Sequence, residues 1–398
     1  MDEKELIGKV KEAEVVKICR DLVRLQSVNP PGNELAAAEY VAAALKKSGV
    51  GAELVKHSDT RASVLARLKG QGKAPALFYN GHLDTVPVGA EQWRHDPFGG
   101  EIAEGRIWGR GAADMKGGLA AMMAAMKVLA EARVPLQGDL ILAATAGEEI
   151  DSLGATEVAK MLSREPMQAL FIAEPTYNEI YIAEKGVFWV EVETFGKTAH
   201  GSMPDKGRNA VLMMVKIIQE FERLEIPYTT HPVLGGFTRS INTISGGVKT
   251  NVVPDYCAVT IDMRTVPGQE HSPILRQLEN ILKDLGRKDP DFRAAVKAIN
   301  DHPAVETSPS EPVLQKFSSL VAEMTGQKTV LKGANYFSDA VGFLPVLKVP
   351  LILFGPGEPG QAHQPNEQVE VSKLVEAARI FTVTAARLLG GLGGFDFC

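Results

Sequence analysis

The chain of 398 residues has few cysteines, no excess of positive charge and no apolar run long enough for a membrane. Its three cysteines, Cys19, Cys257 and Cys398, are scattered without metal-type spacing. A sparse, odd set excludes a disulfide framework and reads as reduced thiols in a cytoplasmic protein. The formal net charge is −6, from 43 basic and 49 acidic residues. That balance argues against nucleic acid or an anionic membrane as the main partner. The opening segment, MDEKELIGKV, is charged and lacks the apolar core of a signal peptide. The most apolar helical stretch runs from Gly117 to Met126 and stops at Lys127. It is about half the ~20 residues a membrane span needs. No internal repeat is present. Hydrophobic residues make up 45% and charged residues 23%, which excludes disorder, collagen-like sequence and coiled coil. A prior of roughly 150 residues per domain predicts two or three domains.

Apolar spacing predicts helices over Glu5–Leu25, Glu34–Lys47 and Lys116–Ala132, with Ser27–Asn33 as a breaker between the first two. Short apolar runs at Val64–Leu68, Ala76–Tyr79, Asp139–Thr145 and Ala169–Ala173 read as strands. Strands alternating with helices suggest an α/β sheet covered on both faces. The pattern changes near Glu184. Between Val187 and Ile299 the order becomes strand, helix, strand, strand, helix, strand, the split pattern of a ferredoxin-like unit. Helix and strand alternation then returns, with helices at Leu314–Met324 and Val371–Leu389 and a strand at Leu351–Phe354. The expected division is a discontinuous domain, residues 1–184 and 300–398, around an inserted domain, residues 185–299.

Five segments place acid or histidine where an apolar run ends. They are Gly81-His82-Leu83-Asp84-Thr85, Ala113-Asp114-Met115-Lys116, Gly147-Glu148-Glu149, Ala173-Glu174-Pro175 and Ala362-His363-Gln364-Pro365. Ligands of open α/β sheets bind outside the carboxyl ends of the strands, so five such endings can converge on one crevice. Imidazole and carboxylate without thiolate suit zinc, manganese or cobalt in a hydrolytic site. Each piece alone is weak. A His-x-Asp is commonly a surface pair, Glu148-Glu149 a solvated helix start, and Asp114 a helix cap. Their joint occurrence carries the argument.

With these segments in hand, the sequence resembles the zinc-dependent aminoacylase/carboxypeptidase family. That family includes acetylornithine deacetylase, succinyl-diaminopimelate desuccinylase and glutamate carboxypeptidase. The resemblance runs from about residue 20 to 385 and is most specific at GHLDTVP (81–87), WRHDPF (93–98), GRIWGRGAADMKGG (105–118) and Gly147–Glu149. It implies an α/β zinc-peptidase-like catalytic domain with a mixed sheet, and an inserted ferredoxin-like α+β domain serving as lid and dimerisation module. It implies two divalent metal ions per chain, zinc first, with cobalt or manganese as alternatives. His82, Asp114 and Glu174 would hold one ion. Asp114 would bridge to a second, completed by Glu149 and His363. Glu148 resembles the general base, and Asp84 the carboxylate that orients His82. Glutamate at position 174 goes, in this family, with deacylases and glutamate carboxypeptidases rather than aminopeptidases and dipeptidases.

The inserted domain carries further matches. His200, in Gly196-Lys197-Thr198-Ala199-His200-Gly201-Ser202, resembles the histidine that stabilises the tetrahedral oxyanion, reached from the partner subunit in dimeric relatives. Asn251 and Arg264 resemble groups that hold the substrate carboxylate, which an arginine fork can grip bidentately. Without the resemblance, His200 reads as a loop histidine. Gly196-Lys197-Thr198 lacks the upstream glycine of a phosphate loop, since that position holds Glu191. Gly201-Ser202-Met203 is not a nucleophile elbow. Met122, Met123 and Met126 read as core packing. One departure stands out. Many deacetylase and desuccinylase relatives carry arginine after Ser338-Asp339-Ala340, whereas this chain has Val341, which suggests a less charged substrate end. The expectation is a homodimeric metal-dependent hydrolase of the amide bond of an N-acyl amino acid or related small carboxylate-bearing amide. A carboxypeptidase, a dipeptidase and a noncatalytic small-molecule-binding protein are the alternatives.

Overall fold

The structure is a computed structural model that describes residues 2–392. Cys398 and the glycine tail at 393–394 lie outside the described residues. The chain forms two compact units. The first comprises residues 2–182, 307–332 and 338–392, and the second residues 183–306 and 333–337. The second unit therefore reaches past the expected 185–299 at both ends and takes in the short return segment Gly333–Phe337. Strand Ala294–His302 continues beyond Ile299, where the apolar spacing would end it.

The first unit is built on a mixed sheet. Its spatial order is Gly51–Lys56, Ala62–Leu68, Leu140–Thr145, Ala76–His82, Met167–Ile172, Leu351–Leu353 and Ile180–Glu184. Strand Ala76–His82 is parallel to both Leu140–Thr145 and Met167–Ile172. All seven of its residues are buried, and so are all six of Leu140–Thr145. Such continuous apolar runs are what a strand covered on both faces requires. Parallel pairing brings the carboxyl ends of these three strands to one edge, and those ends lead into His82, Gly147-Glu148-Glu149 and Glu174.

Helix Gly117–Glu131 is buried almost all round, with Met122, Met123 and Met126 in the core. It is preceded by a kinked turn, Ala112–Lys116, that carries Asp114. A Cβ on Gly118 would collide with the Ala173 carbonyl, so glycine lets this helix lie against the strand end that leads to Glu174. The amino-terminal helix divides into Glu3–Lys9 and Glu12–Arg24, not the single helix the spacing predicts. Gly8 lowers helix propensity there, and Val10 leaves helical geometry while its side chain is buried. No described helix is long and apolar enough to cross a membrane.

The second unit has a four-stranded antiparallel sheet in the order Thr238–Gly246, Tyr256–Thr265, Gly186–Phe195 and Ala294–His302. Helices Ala210–Arg223 and His271–Lys288 contribute Met214, Ile217, Phe221, Ile274 and Leu278 to a core with Phe188, Val190, Val259 and Ile261. The alternation along Tyr256–Thr265 puts every second residue into that core. Asn209 caps the first of these helices by accepting the Leu212 N–H at 3.1 Å. Cys19 and Cys257 are buried, unpaired thiols, one in each unit.

Candidate metal centre

Asp114 is the hub of the first unit's acidic cluster. Its Oδ1 lies 3.1 Å from His82 Nε2, and its Oδ2 lies 3.4 Å from His363 Nε2. His363 Nε2 is also 3.0 Å from Glu149 Oε2. One carboxylate thus turns its two oxygens toward two different imidazoles. One ligand atom each from His82, Asp114 and Glu149 can be drawn within 4.8 Å of one another.

The arrangement calls for a cation. His82 Nδ1 lies 2.9 Å from the Asp84 main-chain carbonyl, which can only accept, so Nδ1 carries a proton. A neutral His82 then aims the Nε2 lone pair at an Asp114 oxygen. Two electron-rich atoms at that distance need a proton or a metal between them. Glu149 Oε1 is buried with no hydrogen-bond partner. These donors, two imidazoles with several carboxylates and no thiolate, fit divalent ions of the zinc class.

The electrostatics agree. Burial pushes the Glu148 carboxyl well above its ordinary range; nearby His82 opposes this, while Glu174, Glu149 and Asp339 reinforce it. Burial likewise raises Glu149, against its hydrogen bond to His363. For His82, burial disfavours the charged ring, but Asp114, Glu148 and Glu174 overcome it and raise the imidazole well above its usual value. Carboxylates packed this closely repel one another, and positive charge relieves them. Glu148 Oε2 stands 4.0 Å from His82 Nε2, beyond hydrogen-bond reach.

Asp84 behaves differently from the expectation. Its carboxylate is 3.8 Å from His82 Nδ1, too far to orient the ring directly. The orienting group is its backbone carbonyl. The carboxylate is engaged elsewhere: it accepts from the N–H groups of Gly147, Glu148 and Glu149 at 3.0, 3.2 and 3.2 Å, and from Asn29 Nδ2 at 2.9 Å. It therefore anchors the turn bearing Glu148 and Glu149. Gly147 makes that turn possible at φ +91°, where a side chain would also meet Asp151 and Arg61. Asn29 escapes a reading of the sequence because Asn-Pro-Pro reads only as a breaker.

The remaining candidates lie in the second unit. His200 is exposed and bridges to Val252, next to Asn251. The Ser202 N–H donates to His200 Nδ1 at 3.2 Å, so a neutral ring carries its proton on Nε2. Gly201 N–H donates to the Asn251 carbonyl at 2.8 Å, which ties the two loops together. Arg264 Nε and Nη2 pair with the two oxygens of Asp262 at 2.9 and 3.1 Å. Asp262 thus occupies one face of the fork expected to grip a carboxylate.

Comparison with known proteins places this geometry in context. The family described as "Peptidase family M20/M25/M40" matches residues 78–387. A probable succinyl-diaminopimelate desuccinylase of Staphylococcus epidermidis is 29% identical over 384 residues, covering 89% of this chain and 93% of that protein. N-formyl-4-amino-5-aminomethyl-2-methylpyrimidine deformylase of Halalkalibacterium halodurans is 28% identical over 401 residues, covering 93% of each. An M20 family metallo-carboxypeptidase from Sulfolobus solfataricus shares the fold with a TM-score of 0.79 at 20% identity, covering 94% of this chain and 98% of that one.

Proposed function

From the premise that the chain belongs to peptidase family M20/M25/M40, and so is a hydrolase, we propose that it cleaves the amide bond of an N-acyl amino acid or a related small carboxylate-bearing amide. The observation that carries this reading is Asp114, one carboxylate facing two imidazoles within a buried acidic cluster. His82 and Glu174 would hold one divalent ion, Glu149 and His363 a second, and Asp114 both. Zinc, or else cobalt or manganese, would supply Lewis acidity toward the amide carbonyl and make a water molecule acidic enough to attack.

The chain's own residues supply the rest. Glu148 makes no contact shorter than 4.0 Å to His82, which leaves its carboxylate for proton transfer. It would take the proton of the attacking water and pass it to the leaving nitrogen. The Asp84 carboxylate holds the backbone from which Glu148 and Glu149 project, and the Asp84 carbonyl fixes the His82 tautomer. In the second unit, the Nε2–H of His200 is a suitable donor for a developing oxyanion. Asn251 and Arg264 would meet the substrate carboxylate. Buried Val341 favours a substrate end without the charge that an arginine there would attract.

Assembly as a homodimer through the second unit belongs to the same proposal. Strand Thr238–Gly246 ends its sheet, with Ile244 61% exposed, and helix Ala210–Arg223 leaves Leu212 60% exposed. Light scattering at micromolar concentration should give twice the chain mass; a fully active monomer would refute it.

Glu148→Gln tests the catalytic reading. We expect turnover on a panel of acetyl, succinyl, formyl and glutamyl amino acids to fall by about 10²–10⁴-fold, with metal content unchanged. Near-normal turnover would remove Glu148 from the mechanism. Metal binding without hydrolysis of any panel member by the unaltered protein would favour a binding role.

A further inference from the structure

A buried ion pair outside the ligand set joins the segments that carry the proposed ligands. Glu367 is fully buried and Arg110 is 2% exposed. Glu367 Oε2 accepts from Arg110 Nη1 at 2.7 Å. Its other oxygen, Oε1, accepts the backbone N–H groups of Ala113 and Asp114 at 2.9 and 3.0 Å. The main-chain carbonyl of Glu367 accepts from Gly109 N–H at 2.9 Å. The two terminal nitrogens of Arg110 also reach two further loops, while its Nε is buried without a partner. Nη1 reaches the Gln364 carbonyl and Nη2 the Pro87 carbonyl, each at 3.2 Å. The Trp93 ring covers the guanidinium at 5.1 Å.

The consequence is geometric. Gln364 follows His363, Pro87 ends the loop that begins at His82, and Ala113 and Asp114 belong to the kinked turn. One carboxylate and one guanidinium thus hold three segments that each bear a proposed ligand. His363 needs such support, because its backbone sits at φ +61° and its side chain is 53% exposed. A left-handed non-glycine residue persists where surrounding contacts fix it. Lysine could not replace Arg110, since a single ammonium cannot span the Glu367, Gln364 and Pro87 oxygens as a planar fork does.

We propose that Glu367 and Arg110 are positioning residues that set the spacing of Asp114 against His82 and His363, and so the affinity of the centre for its metal ions. This rests on the metal-centre reading above. Residues that orient ligands without touching the metal typically change affinity by about 10–100-fold.

The test uses the full chain freed of metal and titrated calorimetrically with Zn²⁺ alone, beside the electronic spectrum of the Co²⁺-loaded protein. Glu367→Gln keeps an oxygen for the Ala113 and Asp114 N–H groups but loses the charge facing Arg110. We expect Zn²⁺ affinity to fall about 10–100-fold, the Co²⁺ bands to shift, and kcat to drop with KM changed less than about twofold. Arg110→Lys should move all three readouts in the same direction, and it decides the matter alone if Glu367→Gln does not fold. Folded variants with wild-type Zn²⁺ affinity and Co²⁺ spectrum would overturn the proposal, even if their melting temperature fell. Failure of the unaltered protein to bind Zn²⁺ would instead overturn the metal-centre reading.

Discussion

Asp84 and His200 are both expected to support one reaction, yet they sit in opposite surroundings. Asp84 is fully buried and receives four N–H donors, all from residues more than fifty positions away in the chain. His200 is exposed, and its side-chain hydrogen bonds both go to Ser202, two positions on. The first unit fixes its candidate residues by long-range contacts made once, on folding. In the second, the backbone around His200 pairs with Val252 and Asn251, but the imidazole itself is held only by its neighbour Ser202. A metal site tolerates errors of only about 0.5 Å, so its scaffold must be over-determined. A residue that meets substrate can remain adjustable.

This contrast is open to attack by substitution, and the largest effect on stability should come from Asp84→Ala. That change strands two buried backbone N–H groups, the part-buried N–H of Glu149 and the Asn29 amide. We expect a loss of about 3–5 kcal/mol in urea denaturation, together with weaker metal binding. A loss below about 1 kcal/mol would mean that the Glu148–Glu149 turn stands without its anchor.

Asp339 offers a smaller, pH-dependent probe of the same unit. Burial pushes its carboxyl up to about 6 from an ordinary 3.8, while hydrogen bonds from Thr145 and Asn80 partly oppose the rise. Because the folded state holds this proton longer than the unfolded chain does, ionisation there costs stability. The group's contribution is most favourable below about 3.8 and declines as pH rises through about 6. Each tenfold gain in proton affinity is worth ~1.4 kcal/mol, so the whole decline amounts to about 3 kcal/mol. In chelator-treated protein, Asp339→Asn should flatten the stability curve across that window relative to the parent. Parallel curves would show that Asp339 titrates normally.

The smallest stability effect belongs to the second unit. His200→Ala should change the unfolding free energy by less than about 0.5 kcal/mol. Turnover should still fall about 10²-fold, with Zn²⁺ binding intact. A comparable loss of stability would erase the distinction between the two regions.

How much of this was legible in the sequence follows the same division. The apolar runs Ala76–Tyr79, Asp139–Thr145 and Ala169–Ala173 announce strands of a sheet covered on both faces, and the acidic and histidine residues just beyond them announce a site; that the three strands run parallel is seen only in the fold. The strand-helix order from Val187 to Ile299 announces the ferredoxin-like sheet. Contacts between distant residues left no local signal. Glu367 and Arg110 lie 257 positions apart, and a lone glutamate four residues after His363 has no periodicity to mark it. Asp84 was legible as a support, but three of its four donors are backbone N–H groups, which leave no mark on the sequence. The segment Gly333–Phe337 joins the second unit through long-range contacts such as the Lys185 N–H to the Ala334 carbonyl at 3.0 Å, so its placement could not be read from spacing.

The central claim is that Asp114 is shared between two metal ions, and elemental analysis after saturation with Zn²⁺ tests it most directly. The account predicts two ions per chain in the parent protein, one in His363→Ala and fewer than one in Asp114→Ala. A stoichiometry that stays the same across all three proteins would contradict it.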